Sequence, residues 1–412
     1  MPDPSIPRPL GTGPLAGIRV IDLTTVISGP VCTMLLADQG ADVIKLEPLG
    51  GDIARRTAGS GEFTAMFVSS NRGKRSMALD LKQPSAVDVV RRLVAGADVL
   101  VQNFRPGTMK RLGLDEPSLR VLNPRLVYVS ISGVGETGPY AKKRVYDPII
   151  QSLSGLADVQ AEPSTGRPRM VRTIVADKTT AVHAAQAVCA ALFARERSGQ
   201  GQHVRLSMLD TMIAFIWPEA MTQHMIVNPE PTVTNQAARP DLIYQTRDGY
   251  ITVGSVSDSE WRGLAGVLGK PEWIDDPRFS TPARRGANAA ERITLVGEIL
   301  TANTSGYWLE RLDAADVPCA PVLTRDQVAS DPQVVHSGLI EVLDQPGFGQ
   351  VRQPRPAARF EQTPAAIGGP APRIGEHTDE ILTELGFSGH EIAALKATGA
   401  ARSAASNLGK ET

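Results

Sequence analysis

The chain has 412 residues, 42% hydrophobic and 21% charged, the balance of a soluble globular protein with room for two or three domains. It contains no run of about eighteen apolar residues, which excludes a membrane-spanning helix. Lys+Arg 43 against Asp+Glu 44 leaves a net charge of -1, so no overall field attracts nucleic acid or anionic membrane, and an anionic ligand must be held by a local cluster.

The amino terminus, "MPDPSIPRPLGTGPLAG", lacks the basic start and apolar segment of a signal peptide. It reads as a disordered lead-in, and the cytoplasm is the expected compartment. "GIRVIDLT" (17–24), "DVIKLE" (42–47), "RSMALDL" (75–81), "DVLVQNF" (98–104) and "RLVYVSIS" (125–132) have the short β-branched pattern of strands. "VCTMLLADQG" between the first two reads as a helix closing at Gly40, and "SAVDVVRRLVAGA" as one capped by Ser85. Strand, helix and strand in that order predict a Rossmann-like α/β domain with a parallel sheet covered on both faces.

Further along, "YDPIIQSLSGLADV" reads as a helix. From about residue 178 a second helix sets Ala181, Ala184, Ala185, Val188, Ala191 and Leu192 at helical spacing and stops at "RERSGQGQ", the arginines in its last turn and Gly199 beyond it. So many alanines imply a close approach of backbones. "HVRLSML" alternates like a half-buried strand, and "DTMIAFIWPEAM" follows as a helix. "NPEPTVTNQAARP" reads as a linker and "YQTRDGYITVGS" as a hairpin turning at Asp248-Gly249. The expected organisation is a large domain of residues 1–215 and 330–412, a smaller α+β domain of 230–325, and linkers at 216–229 and 326–345. The Pro-rich stretch "DQPGFGQVRQPRPAARF" suits a return segment running back across the first domain.

Cys32, Cys189 and Cys319 are far apart among apolar neighbours, which suits buried thiols in a reducing compartment. Neither a disulfide framework nor a metal site is expected, since the six histidines show no ligand spacing such as H-E-x-x-H. "GVGETG", with Gly133, Gly135 and Gly138 after a strand and Asp158 twenty positions on, matches a dinucleotide fingerprint by letter. Pro139 and "YAKKR" follow where an apolar helix must open, so a plain turn is the better reading. "NRGKRS" has Val68 where a P-loop needs glycine, and no G-x-S-x-G nucleophile elbow occurs. Arg55, Arg56, Arg72, Lys74, Arg75, Lys82, Arg105, Lys110, Arg111, Lys143 and Arg144 cluster at predicted strand ends, where α/β folds bind ligands. They make either a solvated rim or a site for a ligand with several phosphates. Asp177, in "VADKTTAVHAAQ", has two readings. It caps the alanine-rich helix, or it is a carboxylate nucleophile kept ionised and aimed by the helix N-terminus. The local sequence does not choose between them.

"GIRVIDLTTVISGPVCTMLLADQGADVIKLE", "NRGKRSMALDLK", "DVLVQNFRPGTMKRLGL", "VADKTTAVHAAQAVCAALFARERSGQGQHVRLSMLD", "VPCAPVLT" and "GEHTDEILTELGF" resemble, in family order, the class III CoA-transferases of the formyl-CoA and carnitine CoA-transferase type. The resemblance runs from about residue 15 to 390. It implies that Asp177 is the nucleophile of an acyl exchange passing through an aspartyl anhydride and an aspartyl-CoA thioester. The substrates it implies are an acyl-CoA and a carboxylic acid, with no ATP or metal. It also implies CoA contacts at Val26, Leu79, Lys82, Asn103, Phe104, Arg111, Leu112, Arg144, Tyr146 and Met208, and an interlocked homodimer. The similar α-methylacyl-CoA racemases carry Gly-His-Asp where this chain has "RVYD". A phenol at Tyr146 is too weak a base for the imidazole's part at neutral pH, and His183, six residues after Asp177, reads as a helix-packing residue. A CoA-binding protein without turnover is the alternative outside the enzymes. Formyl-CoA transferases carry a glycine run in the small domain where this chain has "NQAARPDLIYQTRDGY", which argues against oxalate chemistry. Arg239 and Tyr244 there are candidates for facing an acceptor carboxylate.

Overall fold

The computed structural model describes residues 12–56, 62–227 and 241–404. Its strands are β1 (Arg19–Leu23), β2 (Asp42–Glu47), β3 (Arg75–Leu79), β4 (Val99–Gln102), β5 (Val127–Ser132), β6 (His203–Ser207), β7 (Ile243–Gln245), β8 (Tyr250–Val253), β9 (Cys319–Pro321), β10 (Ile340–Gln345), β11 (Gly349–Pro354) and β12 (Ala401–Arg402). The chain divides into two compact units, Met1–Asn228 with Leu339–Thr412, and Pro229–Gly338.

The first unit holds a seven-stranded sheet in the order β12-β3-β2-β1-β4-β5-β6. All its pairs are parallel except β12, which runs antiparallel along β3. Strand alternation sorts the side chains between two cores. Ile21 and Leu23 of β1 join one apolar cluster with the helices Pro84–Ala95 and Thr378–Glu384. Val20 joins the other with the helices Ser28–Asp38 and Val175–Ser198. Both faces are therefore covered, as a parallel sheet requires. The order 3-2-1-4-5-6 is doubly wound, and successive strands are added first to one side of β1 and then, from β4 on, to the other, so that a crevice is left at the strand ends between β1 and β4.

Several boundaries differ from the expected ones for local reasons. The helix after β1 begins at Ser28, and Pro84 rather than Ser85 opens the helix after β3, with Gln83 as its N-cap. The expected single helix after Tyr146 is two, Asp147–Leu153 and Leu156–Val159, separated at Gly155, whose φ of 87° is left-handed. The first unit also holds the β10–β11 hairpin. In the second unit β7, β8 and β9 form an antiparallel sheet over a core in which Trp261 and Trp273 stack at 6.1 Å.

Candidate active site

The site starts at the ends of β1 and β4. The loop Thr24–Ile27 leaves β1 and is clamped by three side chains. Lys45 Nζ donates to the Thr24 carbonyl at 2.9 Å. Asn103, just past β4, accepts from the Thr25 N–H and donates to the Thr25 carbonyl, both at 2.9 Å. Asp52 accepts from the Val26 N–H at 3.3 Å and is itself paired with Lys45 at 3.0 Å. Between these clamps Val26 has φ 72°, a left-handed conformation that costs a β-branched residue about 1–3 kcal/mol and persists only when its surroundings over-determine it. Gly29 is required next, because a Cβ there would stand 2.3 Å from that of Thr24.

Beneath the loop lies a buried ionic network. Lys74 contacts Asp22, the Pro30 carbonyl and Asn71 at 2.8 to 2.9 Å. Burial pushes the Asp22 carboxyl up, but Lys74 and Lys45 outweigh it and hold it at about 2. Burial draws the Lys74 ammonium down to about 8 against the pull of Asp22. Such a network costs desolvation and is retained where each charge has its partner; here its hydrogen bonds fix the loop.

Asp177 faces this loop. It is not a cap: the helix Val175–Ser198 begins after Ile174, which supplies no side-chain bond, and Asp177 stands in the first turn. The missing cap comes from elsewhere in the chain. Asp147, buried at the start of its own helix, accepts from the N–H groups of Ala176 at 2.7 Å and Asp177 at 3.2 Å. Its second oxygen accepts from Gln151 at 2.6 Å, and Gln151 accepts from the Val171 N–H at 2.9 Å. Asp147 therefore satisfies orphan donors at the helix start. It also places a negative charge beside Asp177. Burial pushes the Asp177 pKa up, the Asp147 charge pushes the same way, and the neighbouring polar groups of Ser28 oppose them, leaving it at about 6 instead of 3.8.

A cavity of about 380 Å³ opens onto Asp177 and is also lined by Val26, Ser28, Asn103, Phe104, Arg144, Tyr146 and Met208. Six of the ten predicted CoA contacts thus meet at the nucleophile candidate. The other four do not line it. Leu79 is 1% exposed in the core, and Leu112 packs against the same apolar cluster, as Phe104 does. Lys82 is exposed, and Arg111 is exposed with its guanidinium on Thr108 Oγ1 at 2.9 Å. The basic rim divides, with Lys82 and Arg111 exposed and Arg56 donating to the Gly50 carbonyl at 2.7 Å. Arg105, Lys143 and Arg144 line the cavity, and Lys110 lines an adjoining one of about 280 Å³. Arg55, Arg72, Lys74 and Arg75 do not face a ligand; they are tied to Glu47, Asp38, Asp22 and Asp42. His183 bonds the Thr179 carbonyl of its own helix at 2.9 Å. Tyr244 is 6% exposed in the core of the second unit, and Arg239 lies outside the described residues.

Ser28, Thr25, Gly133, Gly135 and Arg105 belong to the lining, and sequence reasoning singled out none of them as a partner of Asp177. Gly133 and Gly135 come from the stretch read as a plain turn. It is a turn, but its backbone forms a wall: a Cβ at Gly133 would fall 1.9 Å from Val145 Cγ2. A signal for Ser28 was present in the small-residue run "SGP" at a predicted strand-to-helix turn, where backbone donors point at ligands.

The description CoA-transferase family III matches residues 15–378 of the chain. The succinate–glutarate CoA-transferase of Agrobacterium fabrum is 37% identical to it over 393 residues, spanning 90% of this chain and 96% of that protein. The human succinyl-CoA:glutarate CoA-transferase is 31% identical over 378 residues, spanning 90% and 86%. A solved CAIB/BAIF family protein from Brucella suis superposes with a TM-score of 0.79 at 33% identity, covering 91% of this chain and 100% of that one.

Proposed function

The chain belongs to CoA-transferase family III, and we propose that it moves CoA from a short dicarboxylic acyl-CoA, of the succinyl type, to a second carboxylic acid, with Asp177 as nucleophile. The Asp177 carboxylate attacks the thioester carbonyl and expels CoA thiolate, giving a mixed anhydride. The thiolate then attacks the aspartyl carbonyl and expels the donor acid, leaving an aspartyl-CoA thioester. The acceptor carboxylate attacks that thioester, and the released thiolate completes the exchange at the acceptor's carbonyl. Overall one thioester and one carboxylate are exchanged for another of each, and no proton is gained or lost.

The observation that carries this reading is one half-buried carboxylate, capped from outside its helix, in the same cavity as Arg105, Lys143 and Arg144. Three cations suit the phosphates of CoA, and a carboxylate pushed up to about 6 is still mostly ionised at neutral pH while being more basic than an ordinary aspartate. The succinate and glutarate in the names of the relatives support the dicarboxylic donor. The racemase alternative gains no support, since the side chain beside Asp147 in the cavity is a phenol. A homodimer belongs to the same proposal: Val182, Phe193 and Phe215 are more than half exposed on the helices Val175–Ser198 and Met208–Ala220, and a second copy would cover them. The three free thiols fit the proposed cytoplasmic location.

The test is chemical trapping. Incubation with succinyl-CoA and quenching with hydroxylamine is expected to leave a hydroxamate on Asp177 in the peptide mass map. Asp177→Ala is expected to lower exchange by at least ~10³-fold. An unmodified Asp177 with α-proton exchange in a branched acyl-CoA would turn the assignment to a racemase.

A further inference from the structure

The adjoining cavity of about 280 Å³ shares only Phe104, Arg105, Pro106, Ile131 and Ser132 with the one at Asp177, and Asp177 does not line it. A chain of buried hydrogen bonds runs beneath it. The Gln102 side chain accepts from the Phe104 N–H at 2.8 Å, so its amide nitrogen is the end that donates to Ser130 Oγ at 2.9 Å. Ser130 Oγ lies 2.9 Å from His203 Nε2, and the Tyr128 hydroxyl donates to the Leu114 carbonyl at 3.1 Å. Gln102, Ser130 and Tyr128 are thus satisfied within the protein. The acids of the lining are engaged as well. Glu116 is paired with Arg120 at 3.0 Å and Glu136 with Arg205 at 3.1 Å, while Asp115 accepts from the Ser118 hydroxyl at 2.6 Å.

Two lining cations are left over. Arg105 and Lys110 are exposed, and neither side chain has a hydrogen bond or ion pair with any described residue. Only the Asp115 charge stands against them without a cationic partner, so the cavity keeps an excess of positive charge. Its volume falls below the roughly 300–1,000 Å³ of sites for drug-sized ligands, which suits an acid of a few carbons and not a nucleotide. A guanidinium and an ammonium hold carboxylates by charge-assisted hydrogen bonds, and Phe104, Pro106, Met109 and Ile131 offer apolar surface to a short carbon chain.

We infer that this second cavity binds a free short dicarboxylate through Arg105 and Lys110, holding the acid that the exchange takes up or releases beside the Asp177 cavity and apart from it. The choice of a dicarboxylate rests on the proposed exchange, whereas the anion site itself rests on the charges left free in the cavity. Binding makes and breaks no covalent bond. Arg105 lines both cavities, so an acid bound to it withdraws a cation from the phosphates of CoA. By reciprocity each ligand weakens the other by the same factor.

Isothermal titration of succinate into the full-length, CoA-free protein tests this, with butyrate and inorganic phosphate as comparison ligands. Succinate is expected to bind about tenfold more tightly than butyrate, which lacks the second carboxylate. Lys110→Met is expected to raise the succinate Kd about tenfold with the Kd for CoA unchanged, and Lys110→Arg, which keeps the charge, to bind succinate as the wild type does. Asp177→Ala is expected to retain succinate binding, and saturating CoA to raise the succinate Kd about fivefold to a plateau. Absent succinate binding, or binding that Lys110→Met leaves unchanged, overturns the inference. So does phosphate binding as tight as that of succinate, which would make this a phosphate site. Loss of binding in Asp177→Ala, or a succinate Kd that rises without limit as CoA is added, puts acid and CoA in one cavity and overturns it too. Exchange that survives Asp177→Ala overturns the nucleophile reading, while succinate binding that still depends on Lys110 upholds the second site.

Discussion

In the proposed exchange Asp177 must be ionised to attack, and burial together with the Asp147 charge pushes its pKa up to about 6. Protonation removes the nucleophile, so kcat is expected to be flat above this value and to fall about tenfold per pH unit below it. Asp147→Asn keeps an oxygen to accept the Ala176 and Asp177 N–H groups but removes the negative charge that pushes Asp177 up. The acid limb should therefore move to lower pH in a rate profile taken between about pH 4.5 and 8; a limb that stays in place or rises would mean that the Asp147 charge does not reach Asp177. Nothing near Asp147 in the sequence announces this. "YDPII" reads as an ordinary Asp-Pro helix start, and the helix that Asp147 serves begins 28 residues later. Asp177 itself reads locally as a helix cap or a nucleophile, and only the block "VADKTTAVHAAQ" in its family order favours the second.

At the scale of elements, the alanines of the helix Val175–Ser198 have a mechanical use. Ala181, Ala184 and Ala185 share one apolar cluster with Cys32, Leu36 and Ala37, four of these six being residues without a side chain beyond Cβ. Small residues on this seam let the two helices approach closely, and Ser28 and Asp177, near their N-termini, line the same cavity. Ala184 is fully buried, so Ala184→Leu is expected to cost about 1–3 kcal/mol by overpacking. It should also lower exchange activity in the folded fraction, read by thermal unfolding and by rate per active site; a destabilised variant with unchanged specific rate would detach the seam from the chemistry. The close approach was legible, because a helix face lined with alanine can bury itself well only against a neighbouring backbone. The partner was not, since about 150 residues separate the two faces. Strand positions were legible for a similar reason: buried parallel strands such as "VLVQ" are near-continuous apolar runs. The rim of basic residues misled because an arginine at a strand end has the same letter whether it meets phosphate or, like Arg55, a buried glutamate 2.7 Å away.

For the molecule as a whole, the first unit is assembled from two stretches of chain with the second unit between them. The last stretch closes the sheet. Ala401 pairs with Leu79, the Asp80 N–H donates to the Ala400 carbonyl at 2.9 Å, and Thr378 Oγ1 donates to the Arg402 carbonyl at 2.8 Å. Ending the chain after Gly399 removes these bonds and the burial of Ala400 and Ala401, about 3 kcal/mol. The melting temperature is expected to fall by roughly 5 to 10 °C; an unchanged melting curve would show that the sheet is complete without β12. The Pro-rich composition points to a return of the chain, but composition cannot name the strand it reaches.

That closure also dates the protein's birth. When the ribosome has made residue 228, six of the seven strands exist, yet β3 keeps an open edge until Ala401 is out. At about 5 to 20 residues per second that interval lasts on the order of ten to thirty seconds, during which an unpaired row of backbone donors and acceptors is offered to any other nascent chain. The enzyme's most hazardous moment is therefore near the end of its own synthesis, and its yield in a cell should respond to translation speed and chaperone supply as much as to its final stability.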